Sequence, residues 1–112
     1  MLTIAEPITI DAFWDYVAQH PLEAGYYELN RGVIEMAGGT GGRHGTTTIR
    51  VSAPIHTFVE QRSLGICTAA ETCYVLSAEE AIIRCPDFAF IRAERVPNPI
   101  PDGFVPLAPD FA

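Results

Sequence analysis

Strand-type residues occur in this chain as short runs, and their shortness is the feature that most limits the possible folds. Two runs surround a glycine-containing turn, and four more follow a long helical pattern. Runs of this length and composition predict short β-strands. The 112 residues leave room for one domain, over residues 1–112. The six runs are 26–29, 33–36, 66–70, 73–76, 82–84 and 88–91.

Two segments carry the apolar spacing of helices. Residues 9–19 show it behind Thr9, whose hydroxyl is suited to cap a helix N-terminus. Residues 46–62 show it again, but Pro54 lies inside the pattern. An interior proline removes a backbone hydrogen bond, so this helix is expected to be kinked there or to begin later. The large side chains at core spacing are Phe13, Trp14 and Phe58.

The first two strand-type runs predict a hairpin in which two glutamates face each other. With Arg31 and Gly32 as a two-residue loop, Glu28 pairs directly with Glu35. Like charges in this arrangement repel, so a positive group between them is one expectation. The alternatives are that both side chains point into water, or that a three-residue loop shifts the register.

Two other segments lack helix and strand patterns. Residues 37–45 hold five of the nine glycines and predict a mobile connector, with a phosphate-wrapping loop as the less favoured reading. Residues 97–109 contain five prolines and predict an extended surface connection. Residues 110–112 then read as the beginning of a strand.

The charge balance excludes several functions. Fourteen carboxylates stand against seven basic residues, all of them arginine, and the net charge is −7. This argues against a broad basic surface for nucleic acid. Without lysine, P-loop phosphate transfer, Schiff-base chemistry and Ser-Lys hydrolysis are excluded within this sequence. Residues 1–7 show no secretory signal and no apolar run is long enough for a membrane span, so a cytoplasmic location is expected.

The three cysteines fit no standard framework. Cys67, Cys73 and Cys85 are odd in number, and their spacing matches neither a zinc knuckle nor a set of disulfides. Buried free thiols on strands are therefore the predicted state.

Asp87 is the residue with the most specific chemical setting. It follows Pro86 at the mouth of an apolar strand, where the proline restricts the backbone. A rigidly held carboxylate suits Mg²⁺, which takes one or two carboxylates and fills its other positions with water and substrate phosphate. The alternative is that Pro-Asp is ordinary turn chemistry.

The order of these features resembles the Uma-type restriction endonuclease family, whose members are similar to PD-(D/E)XK nucleases. The resemblance covers nearly the whole chain, from residue 9 to residue 112. The segments that carry it are a first helix, Tyr27-Glu28-Leu29 with the Gly32 turn, residues 33–36, a loop ending in His44 before a long helix, residues 84–91, and Pro109-Asp110-Phe111.

The resemblance implies an α+β (α/β) fold, with a restriction-endonuclease-like mixed sheet flanked by helices. It also implies cleavage of DNA with Mg²⁺, or with Mn²⁺ in its place. Asp87 matches the family's metal-binding aspartate, Glu28 the glutamate of its Tyr-Glu-Leu motif, and His44 its histidine ahead of the helix. The resemblance thus makes these three the candidate catalytic residues, with Asp87 and Glu28 as the candidate metal ligands. From residue chemistry, His44 is a proton shuttle or phosphate contact, or simply a capping or surface residue.

In the family pattern, a second catalytic carboxylate and a lysine follow the second Pro-Asp, at Asp110. The chain ends before either, so it is expected to be an N-terminal portion with impaired catalysis. A sheet edge left uncovered would favour pairing with a second copy, which makes a homodimer one expectation. The alternative function is a non-catalytic interaction or regulatory module that retains the fold. A metal-dependent hydrolase of small substrates is a third hypothesis.

Overall fold

The structure is a computed structural model that describes residues 6–23 and 25–112. Residues 1–5, part of the segment without a secretory signal, lie outside the described residues. Helices and strands combine as predicted, which confirms the α+β class. In chain order the elements are α1 (Ile10–Gln19), β1 (Tyr26–Asn30), β2 (Val33–Ala37), α2 (Gly42–Gln61), β3 (Gly65–Thr68), β4 (Tyr74–Ser77), β5 (Ile82–Arg84), β6 (Ala89–Arg92) and a 3-10 helix (Ala93–Arg95).

The first helix forms as its sequence predicts. The Thr9 hydroxyl accepts a hydrogen bond from the N–H of Ala12 at 3.1 Å, which satisfies one of the unpaired donors at the start of α1. Phe13 is fully buried. Trp14, at the next position, is 47% exposed, so its assignment to the core is wrong. The reason is that Phe104 covers one side of the indole edge-on and leaves the rest to solvent.

The hairpin of β1 and β2 has the predicted two-residue loop. Arg31 and Gly32 both have positive φ angles, of 52° and 81°, as a type I′ turn requires. A side chain at Gly32 would place its Cβ atom 2.6 Å from the Cβ of Pro7, so glycine is needed there for space as well. Glu28 lies directly opposite Glu35, and the alternative of a shifted register is wrong.

The strands form two antiparallel sheets with separate cores. Four strands follow the order β2-β1-β5-β4, and β3 pairs with β6. Among the described residues, one isolated bridge is parallel, and it joins Tyr74 and Val105. Phe111 makes an antiparallel bridge to Phe90, as expected of a strand beginning there. The core on the four-stranded sheet holds Phe13, Leu29 and Ile83, and the core beside β6 holds Tyr74, Ala89, Ile91 and Val105.

The proline-rich segment is packed, against expectation. Val105 is 3% exposed, and its N–H donates to the carbonyl of Cys73 at 2.9 Å. Its carbonyl accepts from the N–H of Val75 at 2.8 Å. Phe104 stacks on Phe13, with ring centroids 5.6 Å apart. The prediction missed this because Phe104 and Val105 are not prolines and keep the N–H groups that a strand edge can bind.

The second helix is longer than predicted. It begins at Gly42, inside the glycine-rich segment, so a later start is wrong, and the assigned helix continues through Pro54. Pro54 and Arg50 are both exposed, so water can bind the Arg50 carbonyl that lacks its helical partner. Val59 is the buried side chain of α2, while Phe58 is 50% exposed and not in the core. Among the described residues, no helix has the length and apolar character to cross a bilayer.

Two of the cysteines are paired, which corrects the prediction of free thiols. Cys73 and Cys85 form a disulfide with their Cα atoms 4.1 Å apart, and Cys67 is free and half-buried. The cause is the register of β4 and β5. Tyr74 lies opposite Arg84, which places the preceding and following cysteines opposite each other.

Candidate functional site

Asp87 lies in the turn between β5 and β6, with its side chain 50% exposed. Its Oδ2 atom is 3.1 Å from Nε2 of His44. An ionised carboxylate only accepts hydrogen bonds, so Nε2 is the donor in this contact. The structure therefore brings two of the three predicted site residues into direct contact.

His44 is held by the helix rather than by a loop. It lies in the first turn of α2, where Gly41 is the N-cap residue without a side-chain capping bond. The expectation of a connector over residues 37–45 is wrong for its last part, because residues 42–45 are helical. The imidazole is 42% exposed and so remains accessible to a substrate.

Glu28, the third predicted site residue, has partners of its own. Its Oε2 atom accepts a hydrogen bond from the backbone N–H of Cys85 at 2.8 Å. Its Oε1 atom accepts from Nη1 of Arg84 at 3.4 Å. The same Nη1 donates to Oε1 of Glu35 at 3.1 Å. Arg84 is thus the positive group expected between the two glutamates, and the alternative that both simply face water is wrong.

The negative charges of three acidic side chains act together on the hydroxyl of Tyr26. Burial is the main cause of the raised pKa of its hydroxyl. The negative charges of Glu28, Asp87 and Glu71 raise that pKa further, in that order. These carboxylates therefore lie near a phenol that stays protonated and can donate a hydrogen bond. No sequence pattern marked Tyr26, because it precedes the glutamate that matched the motif.

A groove runs beside the pair formed by His44 and Asp87. Its volume is about 640 Å³, and its walls are α2 on one side and the end of β3 with the turn after Pro86 on the other. His44 and Asp87 also border a neighbouring hollow of about 520 Å³. The groove-lining residues are Thr40, His44, Gly45, Thr48, Ile49, Ser52, Ala53, His56, Thr57, Cys67, Thr68, Ala69, Ala70, Asp87 and Phe88.

Asp110, in the second Pro-Asp, is bound at the end of β6. Its Oδ2 accepts from the N–H of Arg92 at 2.8 Å, and its Oδ1 is 2.8 Å from Nη1 of Arg95. The hydrogen bond from Arg92, followed by the contact with Arg95, holds the pKa of the Asp110 carboxyl below its ordinary value. This carboxylate fastens the last described residues to β6.

A family model with the description "Uma2: Putative restriction endonuclease" matches residues 14–112. The chain belongs to this family. The resemblance seen in the sequence is thereby confirmed, and it connects the chain with nuclease-like chemistry. Restriction-endonuclease-like proteins generally use divalent metal ions. No curated protein sequence matches the chain.

The side chains of the Uma2 chain offer a metal ion a small set of donors. With Oδ2 facing His44, Asp87 keeps Oδ1 for a hard cation. Both oxygens of Glu28 already accept hydrogen bonds. Within residues 6–23 and 25–112, no three His, Cys, Asp or Glu side chains are grouped to hold a metal. The donors fit Mg²⁺ bound through one carboxylate, with water and phosphate in its other positions.

Sequence reasoning missed one wall of the groove. His56 was not among the predicted site residues, yet it lines the groove together with His44. The signal was present, because His44, Thr48, Ser52 and His56 recur at intervals of four residues. Residues four apart are neighbours on one helix face, so this spacing predicts a continuous polar row.

Proposed function

We propose that this Uma2 chain is a nuclease-like hydrolase of DNA phosphodiester bonds, dependent on Mg²⁺ and centred on Asp87. The observation that carries the proposal is the 3.1 Å contact between His44 Nε2 and Asp87 Oδ2 at the edge of an open groove. A carboxylate and an imidazole in contact are the groups that metal-assisted hydrolysis uses. Family membership supports the reaction class.

Each residue has a separate role in this proposal. Asp87 would hold Mg²⁺, or Mn²⁺ in its place, through Oδ1. When bound, the metal supplies polarisation of the phosphate and activation of water. His44, whose ring is oriented by its contact with Asp87, would act as a proton acceptor in its neutral form. Glu28 supports the site by binding the N–H of Cys85, two residues before Asp87.

The proposed activity is weak for the described residues alone. The sequence contains no lysine to stabilise charge on the phosphate, and Glu28 is engaged by Arg84. Groups that act as a unit in catalysis lose most of their effect when one is absent. We therefore expect slow nicking and weak binding of Mg²⁺.

The test combines calorimetry and plasmid nicking with Mg²⁺ or Mn²⁺. The variant is Asp87→Asn, and the matched control is Asp15→Asn, at an exposed position of α1. The proposal expects metal binding and nicking in the natural chain and in the control, and at least a hundredfold slower nicking in Asp87→Asn. Absence of both activities in the natural chain would overturn it.

A second function is favoured by the engagement of Glu28 and by the small metal donor set of the described residues. The chain would then be a non-catalytic interaction or regulatory module that retains the nuclease fold. This alternative expects no nicking by the natural chain in the experiment above. A cytoplasmic location and a homodimer stay predictions, which fractionation and sedimentation would test.

A further inference from the structure

Most of the second helix carries no carboxylate. None of the fourteen lies between Glu35 and Glu60, and Glu60 is in the last turn of α2, although the chain as a whole has a net charge of −7. The same stretch contains Arg43 and Arg50, together with two of the three histidines. Residues 42–59 of α2 therefore add no carboxylate repulsion against a polyanion.

The groove follows this helix along most of its length. Two rows of side chains at intervals of four residues line it, the polar row that begins at His44 and a parallel row that begins at Gly45. From His44 to His56 the helix rises about 18 Å, at about 1.5 Å per residue. A stacked nucleic-acid strand advances about 3.4 Å per nucleotide, so this length corresponds to about five nucleotides.

The residues that line the groove are mostly small, and they include both polar and apolar side chains. Gly45, Ala53, Ala69 and Ala70 are small, so a backbone can approach closely. The Ser52 hydroxyl donates to the carbonyl of Thr48 at 2.7 Å, so it contributes space rather than a donor. The Thr68 hydroxyl is hydrogen-bonded to the Tyr74 hydroxyl at 2.6 Å, and His44 faces Asp87. The side chains of the lining that remain to donate to phosphate oxygens are His56, Thr40, Thr48 and Thr57. Ile49 and Phe88 supply apolar contacts.

We propose that one strand of the DNA substrate lies along α2, with its phosphates following the groove from His44 towards His56. This path rests on the proposed function, because it leads a phosphodiester to the contact between His44 and Asp87. Charge selects the occupant: the part of α2 that lines the groove carries no carboxylate, and among the described residues the one acidic side chain in the lining is Asp87, at the proposed metal site. The path assigns His56 and Thr57 a role in binding substrate, well away from the reacting phosphate.

The experiment measures binding of a fluorescent twelve-nucleotide DNA strand in EDTA at low salt, with the corresponding duplex alongside. Two variants add the same charge to the same type of residue on the same helix. Thr57→Glu places a carboxylate in the groove, and Thr46→Glu places one at an exposed position outside the groove lining. A neutral variant, His56→Gln, removes the second imidazole. Thermal unfolding followed by circular dichroism verifies that each variant is folded.

The path predicts that Thr57→Glu weakens DNA binding about fivefold, the effect of one added repulsion at close range in water. Thr46→Glu should weaken it less than twofold, and His56→Gln should weaken it about twofold. Equal effects of the two glutamate variants would overturn the path, and so would absence of DNA binding by the natural chain. Tighter binding of strand or of duplex identifies which form the groove accepts, and either form is compatible with this path.

Binding in EDTA separates this inference from the proposed function. Groove-dependent binding without nicking would leave the path in place and overturn the hydrolase. Nicking that is unaffected by Thr57→Glu at limiting DNA would support the hydrolase and overturn the path. Each result therefore decides one of the two proposals by itself.

Discussion

Glu28 and Asp87 are carboxylates in one electrostatic neighbourhood, but their surroundings differ. Glu28 accepts a backbone N–H and an arginine, and its side chain is 21% exposed. Asp87 has His44 as its partner at 3.1 Å and is 50% exposed. A carboxylate bound by a backbone donor and a guanidinium is held in one geometry, whereas an exposed one beside an imidazole can exchange partners. The comparison separates a structural region, at the hairpin, from the region proposed for the chemistry, at the groove, which we call the chemical region.

Asp110 belongs with Glu28 in this comparison. It also accepts a backbone N–H, from Arg92, and contacts a guanidinium, from Arg95. Glu28 and Asp110, the two other acidic residues named in the family resemblance, therefore share one pair of partner types. The consequence is that motif position alone does not tell a structural carboxylate from a chemical one.

The largest expected effect on stability comes from removing the disulfide between Cys73 and Cys85, which lies next to the structural region. The double variant Cys73→Ala/Cys85→Ala removes a bond between residues 12 apart in sequence. We expect the free energy of unfolding to fall by about 3 kcal/mol, because the unfolded chain regains loop entropy. Urea unfolding under oxidising conditions measures this loss.

The control for the disulfide is Cys67→Ala, at the free cysteine, with an expected loss below about 1 kcal/mol. Titration of the natural protein in denaturant without reductant should find one reactive thiol. Three reactive thiols would contradict the pairing and restore the prediction of free cysteines.

Removing the cation between the glutamates is the next test of the structural region. Arg84→Met leaves Glu28 and Glu35 opposite each other without Arg84, and we expect a loss of about 1 kcal/mol in unfolding free energy. Arg50→Met, at an exposed position of α2, is the matched control and should change stability little.

A double variant sharpens this test. Adding Glu35→Gln to Arg84→Met removes the repulsion and should recover part of the lost stability. If the double variant is no more stable than Arg84→Met alone, repulsion between the glutamates is not the cause. Urea unfolding of the natural chain, Arg84→Met, the double variant and the Arg50→Met control gives the comparison. Low ionic strength is used because salt would screen the repulsion.

Asp110 should make stability depend on pH to a smaller extent. Its pKa is lowered by the Arg92 N–H and then by Arg95, so folding favours the ionised form. Its contribution is present above the ordinary pKa of an aspartate and is lost as pH falls through the lowered pKa of the folded state. Urea unfolding at decreasing pH should show a steeper loss in the natural chain than in Asp110→Asn. Parallel curves would count against this assignment.

The smallest stability effect is expected at the chemical region. His44→Gln and Asp87→Asn each disrupt an exposed pair, which contributes less than about 0.5 kcal/mol. Thermal unfolding should therefore barely change, while nicking falls in both variants. A large loss of stability in either one would erase the difference between the two regions, because Asp87 would then be structural too.

Local patterns predicted much of the fold. Thr9 and the apolar spacing after it predicted α1, and Arg31-Gly32 predicted the register that places Glu28 opposite Glu35. These succeed because caps and two-residue turns are decided by neighbouring residues. The assignment of Trp14 and Phe58 to the core was wrong, because apolar spacing shows which helix face is less polar but not whether another element covers that face.

The sequence predicted which residues belong to the candidate site better than it predicted how they are arranged. Asp87, His44 and Glu28 were all identified from the sequence, but their contacts join residues from β1, α2 and the turn after β5. Arg84 was expected only as an unnamed positive group. The polar row towards His56 could have been identified from its spacing, yet the facing wall needed the packing of α2 beside β3.

By itself, the sequence determined the α+β class, the hairpin with its Arg31-Gly32 turn, the absence of carboxylates from residues 42–59 and the family. These depend on residue type and on spacings of a few positions. Only the tertiary structure decided that Cys73 bonds Cys85, that Val105 joins the sheet edge, and that Glu28 is held while Asp87 faces His44. The physical reason is that a disulfide, a strand edge and a carboxylate's partners depend on which distant segments meet in space.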